Sequence, residues 1–321
     1  MGMFAAVAQQ KLPPSKPLAP LPLEVPTPKN NPASKEKIAL GKSLFFDPRL
    51  SGDNSMSCAT CHVPEKGWAD GQALSKGDRG KLLALHTPTV LNVGFFGQLF
   101  WDGRAKSLEE QALGPIQSAD EMNQNLPALV AELNAIPGYT TQFQQVFGTP
   151  VTEAGISQAL AAFQRSLVAH NSPFDRYLKG DKSALSDAAR HGLELFQGEA
   201  GCVRCHHGPL LSDEKFYRLG VSFDEAGLAA VTKNKDDTAK FRTPSLRNVA
   251  QTGPYMHNGS LKTLENVVEF YYRGVPSRTP DGLKLDIQPL SAQSFSDIAD
   301  LVSFLESLTG ETPVVSPPML P

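Results

Sequence analysis

All four cysteines of the chain fall in one pattern, C-x-x-C-H, which occurs twice. The residues are Cys58, Cys61 and His62 in the first copy, and Cys202, Cys205 and His206 in the second. Cysteines at this spacing form thioethers with the two vinyl groups of a haem, while the following histidine binds the iron from one face. Redox pairs, one zinc site and two disulfides also use paired cysteines, but none of them requires a histidine after each pair. The pattern therefore predicts two covalently bound c-type haems.

The two halves of the chain repeat each other beyond the haem motifs, and one spacing of 156 residues relates three pairs of segments. The pairs are 87–93 with 243–249, 101–103 with 257–259, and 107–109 with 263–265. A similar helix end, G-x-x-L-F, also precedes each haem motif. Self-similarity at a fixed spacing indicates an internal duplication.

Helical periodicity dominates the rest of the chain. Apolar residues recur at helical spacing in 156–167 and in 295–308, and few segments alternate as strands do. We therefore expect a mainly α fold with long loops and little β. We expect two cytochrome-c-like haem domains related by internal duplication. The N-terminal domain would comprise residues 34–170 and the C-terminal domain residues 171–321.

Residues 1–33 are expected to form a leader outside both domains. Ala6-Val7-Ala8 resembles the end of a secretory signal, which predicts export to the periplasm. The stretch 12–32 is rich in proline, and such sequences are extended and poorly helical. Ordered structure is therefore expected to begin near Ser34.

Charge and hydropathy exclude two classes of partner. The formal net charge is -3, so the chain has no basic field for nucleic acid. No apolar run approaches the roughly 20 residues that a membrane-spanning helix needs. We expect neither nucleic-acid binding nor a membrane span.

Three further segments carry a family resemblance. They are LGKSLFFDPRLSG before the first haem motif, FWDGRAKSLEEQALGPI after it, and FRTPSLRNVAQTGPYMHNGSLKTLE in the second half. With the two haem motifs, they resemble bacterial dihaem cytochrome c peroxidases over about residues 35 to 310. The wider superfamily includes MauG-type enzymes, which oxidise residues of a partner protein. The resemblance implies an N-terminal haem that handles peroxide, a C-terminal haem that relays electrons, and a calcium ion between them.

The first departure from the family pattern concerns the distal side of the N-terminal haem. Peroxidases that need reductive activation carry a glycine-histidine pair in the loop after the first motif, and this chain has Gly77-Asp78 there. Aspartate is a poor haem ligand, so the first iron is expected to be open. His86 is the nearby substitute, although its place directly before the TPTVLN turn favours a structural or supporting role.

The second departure concerns the C-terminal haem. Electron-transfer peroxidases place a methionine fourteen residues beyond the PYxHxG histidine, and this chain has Tyr271 there, as MauG-type enzymes do. Tyrosine is a known axial ligand that would favour ferric iron. Two alternatives stay open: Tyr271 packs on an apolar helix face, or Met256 is the ligand.

The resemblance also implies a carboxylate that moves a proton during peroxide cleavage, and Glu110 is at the matching position. Its alternative role is a capping box, in which Glu110 would bond to the main chain of Ser107. The equivalent residue of the second half is Asn266, so only the half with the open iron has the carboxylate. Glu109 matches Glu265 in the other half and is expected to be structural.

Gln98 and Trp101 are further candidates near the peroxide. Gln98 could bind peroxide, although it lies one residue from the family's glutamine. Trp101 and Trp68 are the only tryptophans, and either could carry an electron between the haems. Burial in a core is expected for one of them.

Two more ligand groups follow from the resemblance and from side-chain chemistry. Calcium would use Asn92 with the main-chain oxygens of Thr252 and Pro254, and water would complete its shell. Arg104 and Arg247 could pair with haem propionates, because a guanidinium matches a carboxylate.

The primary hypothesis is a periplasmic dihaem peroxidase that reduces hydrogen peroxide with electrons from a small cytochrome c or a cupredoxin. One alternative is a MauG-like enzyme with a protein substrate, and another is an electron-transfer cytochrome without catalysis. The sequence does not decide the electron donor or the oligomeric state, and a homodimer stays open.

Overall fold

A computed structural model describes residues 16–273, 283–287 and 295–321 of the chain. In these residues the helices are α1 Lys35–Phe45, α2 Cys58–Cys61, α3 Leu108–Gln117, α4 Leu126–Asn134, α5 Pro137–Phe147, α6 Glu153–Arg165, α7 Pro173–Leu178, α8 Asp187–Gln197, α9 Ala229–Thr232, α10 Leu264–Arg273 and α11 Phe295–Glu306. Two short strands, β1 Phe216–Tyr217 and β2 Phe241–Arg242, pair antiparallel. The predicted mainly α architecture with long loops and little β is confirmed.

Each haem motif follows a helix that crosses a second helix at very short distance. A Cβ atom on Gly41 of α1 would lie 1.9 Å from the main-chain oxygen of Ala159 in α6. A Cβ atom on Gly192 of α8 would lie 1.9 Å from the main-chain oxygen of Asp300 in α11. Only glycine permits such an approach, so the G-x-x-L-F segments place α1 on α6 and α8 on α11.

Two separate hydrophobic cores lie around these helix pairs. The first core is built around Phe45 and Phe163, whose ring centroids are 5.2 Å apart. The second is built around Phe196 and Phe304, with centroids 5.0 Å apart. The buried residues of the first core lie within 40–167 and those of the second within 174–308, and the boundary between residues 170 and 171 stays a prediction.

The repeated TP-x-x-x-N-V turn makes the same contacts in each half. Asn92 has a left-handed φ of 60°, donates its main-chain N–H to Leu167 and accepts at Oδ1 from the N–H of Ala169. Asn248 has a φ of 57° and makes the matching pair of bonds to the chain that follows α11. These recurring contacts support the internal duplication, which stays a prediction.

The expectation that ordered structure begins near Ser34 is wrong. Leu21 is buried, and the main-chain oxygen of Ala19 accepts from Arg247 of the second half. Farther along, the buried Asn31 donates to Glu109 of α3. The segment 16–33, called the N-terminal arm below, contains no helix, as predicted, but it packs on both halves. Sequence composition shows that such a segment is not helical, but it does not show what the segment contacts.

The C-terminal segment also joins the two halves. Glu311 and His170 exchange main-chain hydrogen bonds, and the main-chain oxygen of Pro321 accepts from Arg49 in the first half. Within the part of the chain that the structure describes, no helix is long and apolar enough to cross a membrane.

Candidate haem and peroxide sites

The first haem motif forms one short helical turn, α2, with His62 directly after it. Cys58 and Cys61 are free, half-buried thiols, which excludes a disulfide between them in this structure. Nδ1 of His62 lies 3.1 Å from the main-chain oxygen of Trp68, to which it donates. That bond selects the tautomer whose Nε2 carries the free lone pair that an iron ion needs.

The second haem motif has the same arrangement. Cys202 and Cys205 are also free, and Nδ1 of His206 lies 2.9 Å from the main-chain oxygen of Leu211. Burial lowers the pKa of His206, which favours the neutral imidazole that binds metals.

The electrostatics of the cysteines argue against redox-active thiol pairs. Burial raises the pKa of Cys58 to about 12, that of Cys61 to about 11 and that of Cys202 to about 12. Reactive cysteines have a lowered pKa, because the thiolate is the nucleophile. Four unpaired thiols and two oriented imidazoles match what two c-type haems require.

The structure brings Glu110 and Gln98 together around Lys106. Oε2 of Glu110 accepts from the main-chain N–H of Lys106 over 2.7 Å, and Oε1 of Gln98 accepts from Nζ of Lys106 over 2.6 Å. The main-chain N–H of Glu110 donates to Ser107 Oγ, so Ser107 caps α3. In a capping box the Glu110 carboxylate would accept from the main-chain N–H of Ser107, whereas here it accepts from that of Lys106. Glu110 is exposed in the protein, which leaves its second carboxylate oxygen for another partner.

Glu109 has a structural role, as the comparison of the two halves predicts. Its carboxylate makes two bonds with the guanidinium of Arg165, 2.7 and 2.8 Å long, and accepts from Asn31. Burial favours the neutral acid, but Arg165 and Asn31 hold the pKa of Glu109 below its ordinary value of 4.5.

The two tryptophans occupy different environments. Trp68 is buried in the first core, against Phe45 and Phe163, so it is the one that packs in a core. Trp101 is half-buried and donates its indole N–H to the main-chain oxygen of His86. Its main-chain oxygen accepts from the N–H of Arg242, so Trp101 lies where the first half meets the second.

His86 is held by three contacts. Its main-chain N–H donates to the oxygen of His257, its main-chain oxygen accepts from Trp101, and its Nδ1 lies 2.9 Å from the oxygen of Gln72. These contacts support the structural role that the sequence favours for His86.

Asp78 faces the loop before α4. Its Oδ2 accepts from Asn123, and its main-chain N–H donates to Asp120. Between these two residues lies Glu121, which the sequence analysis did not identify. Burial raises the pKa of Glu121, and its charge in turn contributes to the raised pKa of Cys58. This carboxyl therefore lies near the first motif, and no motif or spacing in the sequence could have indicated it.

The two arginines expected at haem propionates differ. Arg104 stacks on Phe100 at 3.5 Å and bonds to both oxygens of Asp102 through Nη1 alone, so its other nitrogens are available. Arg247 is buried, and each of its three nitrogens is bonded to protein, including an ion pair with Asp175. The structure thus gives Arg247 a protein carboxylate, and its pairing with a haem propionate stays a prediction.

The candidate ligands of the second iron lie in the second half. Tyr271 is on α10; burial and the charges of Cys202 and Cys205 raise its pKa, which locates the phenol beside the second motif. Met256 has a left-handed φ of 72° in a turn that matches the turn of Phe100, whose φ is 66°. Phe100 cannot bind a metal, so the position it shares with Met256 serves packing in the first half. This comparison favours Tyr271 over Met256 as the ligand.

One of the predicted calcium ligands, Asn92, already has a hydrogen-bond partner. Asn92 Oδ1 already accepts from Ala169, which leaves one lone pair for a cation. Among the described residues, no group of three or more histidine, cysteine, aspartate or glutamate side chains could hold a metal ion. Calcium at Asn92, Thr252 and Pro254 stays a prediction.

These features define a class: a mainly helical c-type cytochrome with two haem motifs in two similar halves. A family model described as di-haem cytochrome c peroxidase matches residues 35–183. Cytochrome-c peroxidase IdrP1 of Pseudomonas sp. (strain SCT) is 42% identical over 341 aligned positions, which cover 95% of this chain and 89% of that protein. Methylamine utilization protein MauG of Methylorubrum extorquens is 42% identical over 322 positions, which cover 99% and 90%.

Structural comparison agrees with the sequence comparison. The crystal structure of a MauG-like protein associated with microbial copper homeostasis superposes with a TM-score of 0.81 at 32% identity, covering 96% of both chains. The chain belongs to the bacterial dihaem cytochrome c peroxidase and MauG superfamily. It is therefore an oxidoreductase whose family carries haem c.

Proposed function

We propose that the chain is a periplasmic peroxidase that reduces hydrogen peroxide to water, with electrons from a small cytochrome c or a cupredoxin. The reaction consumes one peroxide, two electrons and two protons and yields two water molecules. The observation that carries this proposal is the difference between the halves. Glu110 stands beside Gln98 and Lys106 in the first half, whereas Asn266 has the matching place in the second.

The cofactors are assigned to residues as part of this proposal. One haem c is attached to Cys58 and Cys61 with His62 as the iron ligand. The other is attached to Cys202 and Cys205, with His206 and Tyr271 as ligands. The first haem, when bound, supplies an iron that binds and reduces peroxide.

Glu110 performs the proton transfer. A carboxylate accepts the proton from the inner oxygen of peroxide and returns it to the outer oxygen, which leaves as water. The main-chain N–H of Lys106 donates to Oε2 of Glu110 and so orients the carboxylate that accepts the proton. Gln98, held by Lys106, is positioned to hydrogen-bond peroxide.

Peroxidase activity with two distinct haem roles is tested by paired variants. Cys58→Ser with Cys61→Ser should leave one haem and abolish the reaction with peroxide. Cys202→Ser with Cys205→Ser should also leave one haem, but should retain the initial reaction and lose turnover with reduced donor. Fast peroxide consumption in the first variant would show that the haem roles are reversed. Six-coordinate irons and no peroxide reaction in the unaltered protein would favour an electron-transfer cytochrome.

A second candidate function is favoured by Tyr271 and by the similarity to MauG. In that case the chain would oxidise residues of a partner protein. Steady-state turnover separates the two functions: a peroxidase oxidises reduced cytochrome c continuously when peroxide is added. A MauG-like enzyme would oxidise the small donor slowly and deliver the oxidising equivalents to a protein substrate.

A further inference from the structure

The carbonyl groups that accept from the two motif histidines belong to residues with unusual backbone geometry. Trp68 has a φ of 62° and Leu211 a φ of 52°, both in the left-handed region. Both side chains are almost fully buried, with 1% and 0% exposure. Bulky residues rarely adopt this conformation, which persists only where the surroundings enforce it. Something must therefore hold each acceptor segment in place.

One such contact is common to both halves. Thr89 Oγ1 donates to the main-chain oxygen of Gly67 over 2.6 Å, directly before Trp68. Ser245 Oγ donates to the main-chain oxygen of Leu210 over 2.6 Å, directly before Leu211. The repeated TP turn thus supplies a hydroxyl that anchors the residue preceding each acceptor.

The second half has an additional contact that the first half lacks. Nε of Arg247 donates to the main-chain oxygen of Pro209 over 2.6 Å, and its Nη1 pairs with Asp175 over 2.8 Å. The matching residue of the first half, 156 positions earlier, is Leu91, which has no charge to contribute. The segment that presents Leu211 is therefore held at two successive residues, Pro209 and Leu210.

The ion pair of Arg247 and Asp175 lies in the interior, where the free energy of desolvating two charges must be offset. Arg247 is 2% exposed and Asp175 is 2% exposed, so both charges have lost their hydration. Asp175 is itself fixed at the start of α7, where it exchanges hydrogen bonds with Ser172. A buried ion pair is weak evidence for stability, but it restricts geometry strongly. Its effect is thus to fix the position of Pro209 relative to α7.

We propose that Arg247 and Asp175 are positioning residues for His206, acting through the Pro209–Leu211 segment. They keep the oxygen of Leu211 at hydrogen-bonding distance from Nδ1 of His206. A histidine that donates to a fixed carbonyl is oriented by it and becomes a more basic iron ligand. This inference rests on the proposed attachment of a haem at the second motif. It gives the histidine of the second haem a buried ion pair as support, which Leu91 at the matching position cannot supply to the first haem.

The test uses the holoprotein carrying Arg247→Gln and Asp175→Asn together, so that no unpaired buried charge is left. A pyridine haemochrome assay first counts haems; fewer than two in the unaltered protein would overturn the proposed function itself. With two haems present, the reduction potential of the second haem should rise, because a less basic imidazole stabilises ferric iron less. The EPR g values of its low-spin signal should change, and the signals of the first haem should not.

A matched pair controls for the loss of an ion pair as such. Arg165 and Glu109 also form a partly buried, doubly bonded pair, but neither contacts an acceptor segment. Arg165→Gln with Glu109→Gln should leave the potential of the second haem unchanged. An equal shift in this control, or no shift in the Arg247 and Asp175 variant, would overturn the proposal.

Single hydroxyl deletions keep the test decisive if the double variant does not fold. Ser245→Ala should raise the potential of the second haem only, and Thr89→Ala that of the first haem only. Unchanged potentials in both variants would show that the acceptor segments do not control the histidines.

Discussion

The indole N–H of Trp101 donates to the main-chain oxygen of His86 over 2.8 Å. His86 in turn donates its main-chain N–H over 2.7 Å to His257, which occupies the position of Trp101 in the second half. Equivalent positions of the two halves are therefore connected through one residue. An aromatic ring at this junction is well placed to pass an electron from one half to the other.

Replacing Trp101 tests this role. Trp101→Phe should slow oxidation of the second haem after peroxide is added, because the larger ring and its bond to His86 are lost. The unpaired oxygen of His86 should also lower the free energy of unfolding by about 1–3 kcal/mol. Stopped-flow spectroscopy and urea denaturation measure the two effects. Phe143→Leu is the control, since Phe143 is buried in the first core and its replacement should lower stability without changing the electron-transfer rate.

The adjacent carboxylates of α3 should separate activity from stability. Glu110→Gln should keep the fold and both haems but slow the reaction with peroxide by roughly a hundredfold, the usual scale for losing an acid-base group. Glu109→Gln should leave that rate unchanged and lower stability by about 1–3 kcal/mol, because the charged bond to Arg165 is lost. A Glu110→Gln variant altered only in its melting temperature would support the capping role.

The stability of the protein should depend on Glu109 at acid pH. Its pKa is lower in the folded protein than the ordinary 4.5, so the unfolded chain binds its proton more readily. The contribution of Glu109 is therefore complete well above pH 4.5 and is lost as the pH falls through the folded-state pKa. Urea denaturation at several pH values between about 6 and 3 measures this effect. The free energy of unfolding should fall less steeply with pH in Glu109→Gln than in the unaltered protein. Equal slopes would contradict this assignment.

Asp78 should make prior reduction unnecessary. Because Asp78 bonds to Asn123 and is a poor haem ligand, the first iron should be open in the oxidised protein. The diferric protein should therefore react with peroxide directly, seen as a change of the Soret band on stopped-flow mixing. Asp78→His should slow this reaction until one electron is added, and Asp78→Asn is the control that supplies no strong ligand. A Soret band that stays unchanged in the unaltered protein would indicate another distal ligand.

The sequence predicts well those parts of the molecule that are determined by residues close together in the chain. The haem motifs are recognised by the spacing of five consecutive residues. The close contacts of Gly41 and Gly192 belong to a G-x-x-L-F segment that occurs in both halves. The helical character of α6 follows from its apolar spacing, and its face is buried as expected. Each of these features needs only neighbouring residues to be recognised.

The features that the sequence did not predict depend on distant residues. A guanidinium suits any carboxylate, and only the fold shows that Arg247 pairs with Asp175, which lies 72 positions away. Glu121 approaches the first motif from a loop that has no recognisable pattern. The contacts of the N-terminal arm were equally hidden, since proline content determines its shape and says nothing of its neighbours.

The N-terminal arm imposes an order on the assembly of the protein. The ribosome makes residues 16–33 before either domain, yet the arm's partners include Gly208 and Arg247, which are made much later. Residues 16–19 therefore cannot dock until the TP turn of the second half exists, whereas Asn31 already finds its partner Glu109 in the first half. The part of the described chain that emerges first is thus among the last to reach its final position, and its docking requires that both halves are in place.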